Sequence, residues 1–185
     1  MSLFQIFASD ERRGWYELAV RPNNHQQPLY ASRGLIASAY EAYYGIKTDL
    51  EEPSIAREVC HDAVPYAPIS YWLLKEVISS ISPEKNDMIF DIKCGRGRRV
   101  ALFSRFPVKK TVGVEIDPVL ANAAKLNGVR VRGRRSPIAI MNCNALDVDY
   151  SEGTIFFLYY PFGAETLETL LGNIRRSLEK RPLVD

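Results

Sequence analysis

The stretch FDIKCGRGRR (90–99) decides how the rest of the chain is read. It begins inside a short apolar run, MIFDI (88–92), which carries an acid, Asp91, near its end. Apolar runs of this length bounded by turn residues read as buried strands. Gly95 and Gly97 follow, and glycine tolerates the positive φ that a tight reversal needs. RRVALFSRF (98–106), ended by Pro107, then reads as a helix. The unit is strand, glycine turn, helix. Lys93 stands in the turn where such loops usually keep another glycine.

Working outward, the same alternation repeats. TVGVEI (111–116) reads as a second strand, and Asp117-Pro118 opens the helix PVLANAAKLNG (118–128), with Asp at the N-cap, Pro at the first helical position and Gly128 as the stop. IAIMNC (138–143) and TIFFLYY (154–160) read as further strands, and AETLETLLGNIRRSLEK (164–180) as an amphipathic helix. Upstream, GLIASAYEAYY (34–44) reads as a helix capped by Gly45, DLEEPSIAREV (49–59) as a short helix with Pro53 in its first turn, and APISYWLLKEVISSI (67–81) as a helix. The last of these carries an apolar stripe at Ile69, Leu73, Val77 and Ile81, flanked by Trp72 and Leu74. Residues 1–32 read as irregular, with RPNNHQQPLY (21–30) a loop. The order β-α-β-α-β-β-α predicts an α/β protein with a mostly parallel, Rossmann-like sheet. Residues 1–82 then form an irregular segment and a helical cap, and 83–185 the core.

Composition narrows the function classes. The 185 residues are 46% hydrophobic and 25% charged with a net charge of +2, the profile of a globular domain with no demand for a polyanionic partner. Two basic patches stand out, GRGRR (95–99) and VRVRGRR (129–135), readable as solvated helix ends and loops or as phosphate contacts. Cys60, Cys94 and Cys143 at unrelated spacings, with His25 and His61 far apart, make neither a disulfide framework nor a metal cluster. The N-terminus lacks a signal-peptide pattern and no apolar run reaches membrane-spanning length, so the expected location is the cytoplasm.

In open parallel sheets, ligands bind beyond the carboxyl ends of the strands, at the reversal of strand order. The turn after the first parallel strand is therefore the expected site. The N-terminus of the helix behind it favours a carboxylate or phosphate. Glu115, 24 residues after Asp91, stands at the end of the next strand, where an acid accepts ribose hydroxyls. Two cofactor classes use such a pair. A dinucleotide site wants G-x-G-x-x-G, but counting from Gly95 the last position is Val100. A site for S-adenosylmethionine wants an acid at the end of the first strand for the methionine ammonium, and Asp91 is so placed.

The segment Asp91-Ile92-Lys93-Cys94-Gly95-Arg96-Gly97 resembles motif I, D-x-G-x-G-x-G, of the class I S-adenosylmethionine-dependent methyltransferases. VGVEIDPVLANAAKLN (112–127) is similar to that family's second motif, and NCNALDVD (142–149) falls where the family places its adenine loop. YEAYYGIKTD and VPYAPISYWLLKEVI resemble the lead-in of a bacterial subgroup, so the likeness covers roughly residues 35–180. It implies S-adenosylmethionine as cofactor and S-adenosylhomocysteine as product. Asp91 would meet the ammonium. Ile92 and the backbone around Lys93, Gly95 and Gly97 would line the methionine moiety. Glu115 would hold the ribose, with Ile116 against the adenine and Asn144 and Ala145 at its edge. Tyr66 and Pro68 would close over the cofactor.

Three departures qualify what the resemblance implies. Lys93 replaces a motif glycine; an ammonium ~6 Å from the sulfonium at an effective dielectric of ~20 costs roughly 2–3 kcal/mol, which predicts weakened or lost cofactor binding. Tyr160, Pro161 and Phe162 stand where amino-methylating members carry Asn or Asp before Pro-Pro-Tyr/Phe, and read either as a target-binding loop or as a simple strand end and turn. The family sheet has seven strands, and this chain stops at RPLVD, so the expectation is a sheet lacking the last strands, with TIFFLYY as an open edge that a homodimer would cover. The functions implied are a methyltransferase of unknown acceptor or, from another class, a non-catalytic interaction module of that descent. Nucleic-acid binding through VRVRGRR is the third.

Overall fold

In a computed structural model of the chain, the structure describes residues 4–8, 16–17, 33–48, 69–159 and 162–180. In chain order the elements are β1 (Phe4–Ala8), β2 (Tyr16–Glu17), α1 (Arg33–Tyr44), α2 (Tyr71–Ile81), β3 (Met88–Ile92), α3 (Arg98–Phe103), β4 (Lys110–Glu115), α4 (Pro118–Arg130), β5 (Ile138–Asn142), β6 (Ile155–Tyr159) and α5 (Ala164–Glu179), with a 3-10 turn at Ala145–Asp147. Four strands pair in parallel. β3 lies between β4 and β6, and β5 lies outside β4. Numbered from β3, this is the 3-2-1-4 order of doubly wound sheets, and the order reverses between β3 and β6. The expected Rossmann-like α/β architecture is present.

The strands read as apolar runs because both faces of the sheet are covered. On one face Met88, Phe90, Ile92, Val112, Val114, Phe156 and Leu158 pack with Tyr150 and with Leu170 and Ile174 of α5. On the other, Ile89, Ile155 and Phe157 meet Phe103 of α3 and the N-terminal helices through Tyr44, Tyr71, Leu74, Val77, Ile78 and Ile81. Each fully buried side chain of this size contributes roughly 1.5–3 kcal/mol. Helix α2 starts at Tyr71, where the Ser70 side chain accepts from the N–H of Leu73. Leu73 is only half-buried and Trp72 is exposed, so the buried stripe runs Tyr71, Leu74, Val77/Ile78, Ile81.

Three sequence expectations are corrected. Residues 1–32 were expected to be irregular, yet Phe4–Ala8 forms a strand and Tyr16–Glu17 a second one paired to it. β1 runs antiparallel to β6 in the register Phe4↔Tyr159 to Ala8↔Ile155. The edge of TIFFLYY is thereby occupied, and a homodimer through it loses the edge on which it depended. A five-residue strand is specified by the partner it meets rather than by its own pattern, which is why it escaped a local reading. Helix α4 also runs two residues past Gly128. That glycine sits inside the helix, where a Cβ would come within 3.2 Å of the Ile138 side chain. The expected helix at 49–59 lies outside the described residues.

Helix α1 is joined to the ligand end of the sheet by polar contacts. Gly45, at φ 76°, ends the helix with its N–H donating to Glu41 O, and the chain turns to meet α4. The buried Asn127 amide of α4 donates to the carbonyls of Lys47 (2.9 Å) and Arg96 (2.8 Å) and accepts from the N–H of Lys47 (2.9 Å). Arg98, also buried, donates to Thr48 Oγ1 and to Ile69 O, both at 2.7 Å, lies over the Tyr71 ring and sits 3.5 Å from Glu41. Replacing Asn127 by Ala leaves buried carbonyl and N–H groups without partners, a loss of about 1–3 kcal/mol for each such group. Urea denaturation of Asn127→Ala is expected to show a stability loss of about 3 kcal/mol, whereas Asn122→Ala on the exposed face of α4 stays within about 0.5 kcal/mol of the natural chain.

Candidate functional site

The turn after β3 is built from left-handed residues: Lys93 at φ 60°, Gly95 at 57° and Gly97 at 80°. Gly97 also needs its missing side chain, since a Cβ there would lie 3.1 Å from the Ala124 methyl of α4. Lys93 has no such exemption. A left-handed non-glycine residue costs about 1–2 kcal/mol, so the lysine occupies a glycine's backbone conformation against its own preference.

Glu115 ends β4, is buried, and is committed to the turn. Its Oε2 accepts from the N–H of Gly95 at 2.8 Å and its Oε1 from the N–H of Asp117 at 3.0 Å. The Asn142 amide donates to the carbonyls of Glu115 (2.9 Å) and Ile116 (3.0 Å), tying β5 to the same strand end. Burial raises the Glu115 pKa, opposed by those two backbone bonds and by the Lys93 charge nearby. Between the two acids lies Cys94, whose thiol is pushed up by burial and then by the charges of Asp91 and Glu115, so it remains a protonated packing group.

Asp91 is fully buried on β3, in register with Gly113 on one side and Phe157 on the other. Its partner is Arg99, whose Nε stands 2.7 Å from Asp91 Oδ1. The same guanidinium donates from Nη2 to the carbonyl of Lys93 at 2.6 Å and lies over the rings of Phe157 (5.4 Å) and Tyr159 (5.8 Å) of β6. Arg99 thus spans the reversal of strand order. All three arginines of GRGRR are buried, neither solvated nor presented as an open phosphate patch. Arg98 and Arg99 stand out in the sequence only as members of that basic patch, with no internal role assigned to either. The available signal was that α3, RRVALF, is otherwise wholly apolar, the mark of a helix buried all round, whose arginines must find internal partners.

The remaining expected residues scatter in role. Ile92 is fully buried beneath the turn and Ile116 is half-buried. Asn144 caps the 3-10 turn by accepting from the N–H of Leu146 at 3.0 Å, and Ala145 is buried with its carbonyl accepting from the Tyr150 hydroxyl at 2.8 Å. Phe162 packs with the apolar layer beneath α5. Tyr66, Pro68, Tyr160 and Pro161 lie outside the described residues. In the second basic patch Arg130, Arg132, Arg134 and Arg135 are exposed, with Arg132 donating to Ala42 O and Arg134 to Gly128 O. Among the described residues no group of three or more His, Cys, Asp or Glu could hold a metal ion, and no helix is long and apolar enough to cross a membrane.

Several solved structures are similar to the chain. An RNA methyltransferase from Salinibacter ruber in complex with S-adenosylhomocysteine is 25% identical, covering 48% of this chain and 57% of its own, with a TM-score of 0.40. An S-adenosylmethionine-dependent methyltransferase from Thiobacillus denitrificans in complex with S-adenosylhomocysteine is 17% identical, covering 52% and 39%, with a TM-score of 0.38. Precorrin 8w decarboxylase from Methanobacterium thermoautotrophicum is 17% identical, covering 60% and 59%, with a TM-score of 0.44. The chain spans less than two thirds of the length of each. No family model matches the chain, and no curated protein does. It is the strand order, rather than these superpositions, that makes the fold Rossmann-like.

Burial raises the Asp91 pKa to about 6, against the opposing pull of Arg99. The folded state therefore takes up this proton more readily than the unfolded chain. The stability from Asp91 is fully present below about pH 4 and is lost as pH rises to about 6, an effect of about 3 kcal/mol. Chemical denaturation across pH 4–7 is expected to show this fall in the natural chain and a shallower one in Asp91→Asn.

Proposed function

We propose that the chain is a domain of the S-adenosylmethionine-dependent methyltransferase type, taking the nucleoside of the cofactor against the end of β4 and its methionine end over the 93–97 turn. The supporting observation is the pair of buried acids, Asp91 and Glu115, at the carboxyl ends of adjacent parallel strands, with a left-handed turn between them at the 3-2-1-4 reversal. The donor set suits the group. Each Glu115 oxygen has accepted one backbone N–H and keeps lone pairs for ribose hydroxyls. Asp91 carries the charge that an ammonium requires.

When bound, S-adenosylmethionine supplies a methyl group on a sulfonium sulfur. The chain's own contribution is positioning, the main requirement of an in-line displacement. The Gly95 and Asp117 N–H groups fix the Glu115 carboxylate, and the Asn142 amide fixes the strand end behind it. Lys93 acts against the sulfonium, partly balanced by Glu115, whose carboxylate lies within its field. The methyl acceptor is left open by these residues. The second reading, an interaction module that kept the fold without the chemistry, is favoured by one observation: Asp91 already has a cation, Arg99.

Calorimetry separates the two. The natural chain is expected to bind S-adenosylhomocysteine more tightly than S-adenosylmethionine, because only the latter brings a sulfonium near Lys93. Lys93→Gly is expected to strengthen S-adenosylmethionine binding at least about tenfold and S-adenosylhomocysteine binding much less. Absence of binding by both proteins to both ligands contradicts the methyltransferase reading and leaves the module.

A further inference from the structure

Arg99 bridges the two strands that flank the reversal of strand order. Its guanidinium is buried, meets Asp91 on β3, lies over Phe157 and Tyr159 on β6, and donates to the carbonyl of Lys93 at the first left-handed position of the turn. It therefore supplies to Asp91 what the methionine ammonium would supply, a positive charge in close contact, 2.7 Å from Oδ1. We propose that Arg99 is the specificity-determining residue of this site: an internal cation seated against Asp91 Oδ1, with which an ammonium-bearing ligand competes for the acid's charge and a ligand without an ammonium does not. The inference rests on the S-adenosyl reading of the site given above.

The physical consequence is competition for one negative charge. The guanidinium already offsets Asp91 from its Oδ1 side, so an arriving ammonium gains less there than it would at an acid with no cation beside it. Any movement of Arg99 away from Asp91 also costs its bond to Lys93 O and its place over the two β6 rings. A ligand's nucleoside end, held at Glu115 and Ile116, contributes independently of that competition. The natural chain should therefore distinguish little between S-adenosylhomocysteine and 5′-methylthioadenosine, which shares the nucleoside and sulfur but has no amino-acid part. Without the guanidinium, Asp91 keeps a backbone bond from Val100 but no cation, and an ammonium becomes its natural counter-ion.

The test is the ratio of the two affinities, measured by calorimetry at pH 8 for the natural chain and for Arg99→Met. The expected ratio in favour of S-adenosylhomocysteine is below about threefold in the natural chain and above about tenfold in Arg99→Met. Equal ratios in the two proteins overturn the proposal while leaving the cofactor reading intact. Absence of binding to either ligand in either protein overturns the cofactor reading and the proposal with it. Removing Arg99 from a buried acid endangers folding, so a second measurement uses the natural protein. Its Arg99 Nε–H resonance, assigned by its loss from Arg99→Lys, is expected to shift on adding S-adenosylhomocysteine and to stay in place with 5′-methylthioadenosine. A resonance that stays in place with S-adenosylhomocysteine bound overturns the proposal independently of any variant.

Discussion

The ion pair between Asp91 and Arg99 is the contact on which the ligand end of this sheet depends. A carboxylate buried on a central parallel strand has no water to solvate it, and an unpaired charge there is among the most expensive features a core can contain. Arg99 resolves this from the second residue of α3, so the helix must begin where it does for its guanidinium to reach Asp91. The turn is held in the same act, because Arg99 also donates to Lys93 O. A pair of this kind adds little net stability compared with an apolar replacement, but losing one partner typically costs 3–5 kcal/mol. Its role is to specify one arrangement of strand, turn and helix.

Glu115 performs the matching task from the neighbouring strand. Two backbone N–H groups, one on each oxygen, bind the turn on one side and the start of α4 on the other. The two acids thus hold opposite sides of one loop, one through a guanidinium and the other through main-chain donors. Asn127 extends the polar frame to Lys47, just after α1, and Arg98 extends it to Thr48, to Ile69 just before α2 and to Glu41 of α1, so the N-terminal helices are fastened to the same loop as well as packed on the sheet. On the proposed reading of the site, a ligand meets groups already engaged with the chain, and its affinity is set by what it can displace or share.

Much of the fold was legible because the parallel core is locally consistent. Apolar strands, the Asp117-Pro118 helix start and the left-handed Gly45 all announce themselves within a few residues. β1 did not, because its identity is a pairing with Tyr159–Ile155 about 150 residues away. At the site, Asp91, Glu115 and the glycines could be recognised by type and spacing, and they do converge. Their partners could not. Arg99 reads as one more charge in a basic run until the helix is seen to be buried, and Asn127 reads as an ordinary helical residue until the segment after α1 is seen to meet it at Lys47. Identities of polar residues travel with motifs; their hydrogen-bond assignments arise only from the folded arrangement. Lys93 illustrates the reverse, since its misfit with a glycine position was visible in the sequence and persists as a left-handed φ of 60°.

The measurement that tests this account most directly is a double-mutant cycle of Asp91→Asn and Arg99→Met, read by chemical denaturation. The predicted result is strong coupling. Each single change leaves a buried polar group without its partner, the pair removed together is far less harmful than the sum, and the interaction energy exceeds about 1.5 kcal/mol. Effects that add to within about 0.5 kcal/mol would contradict it, because Arg99 would then be holding something other than Asp91.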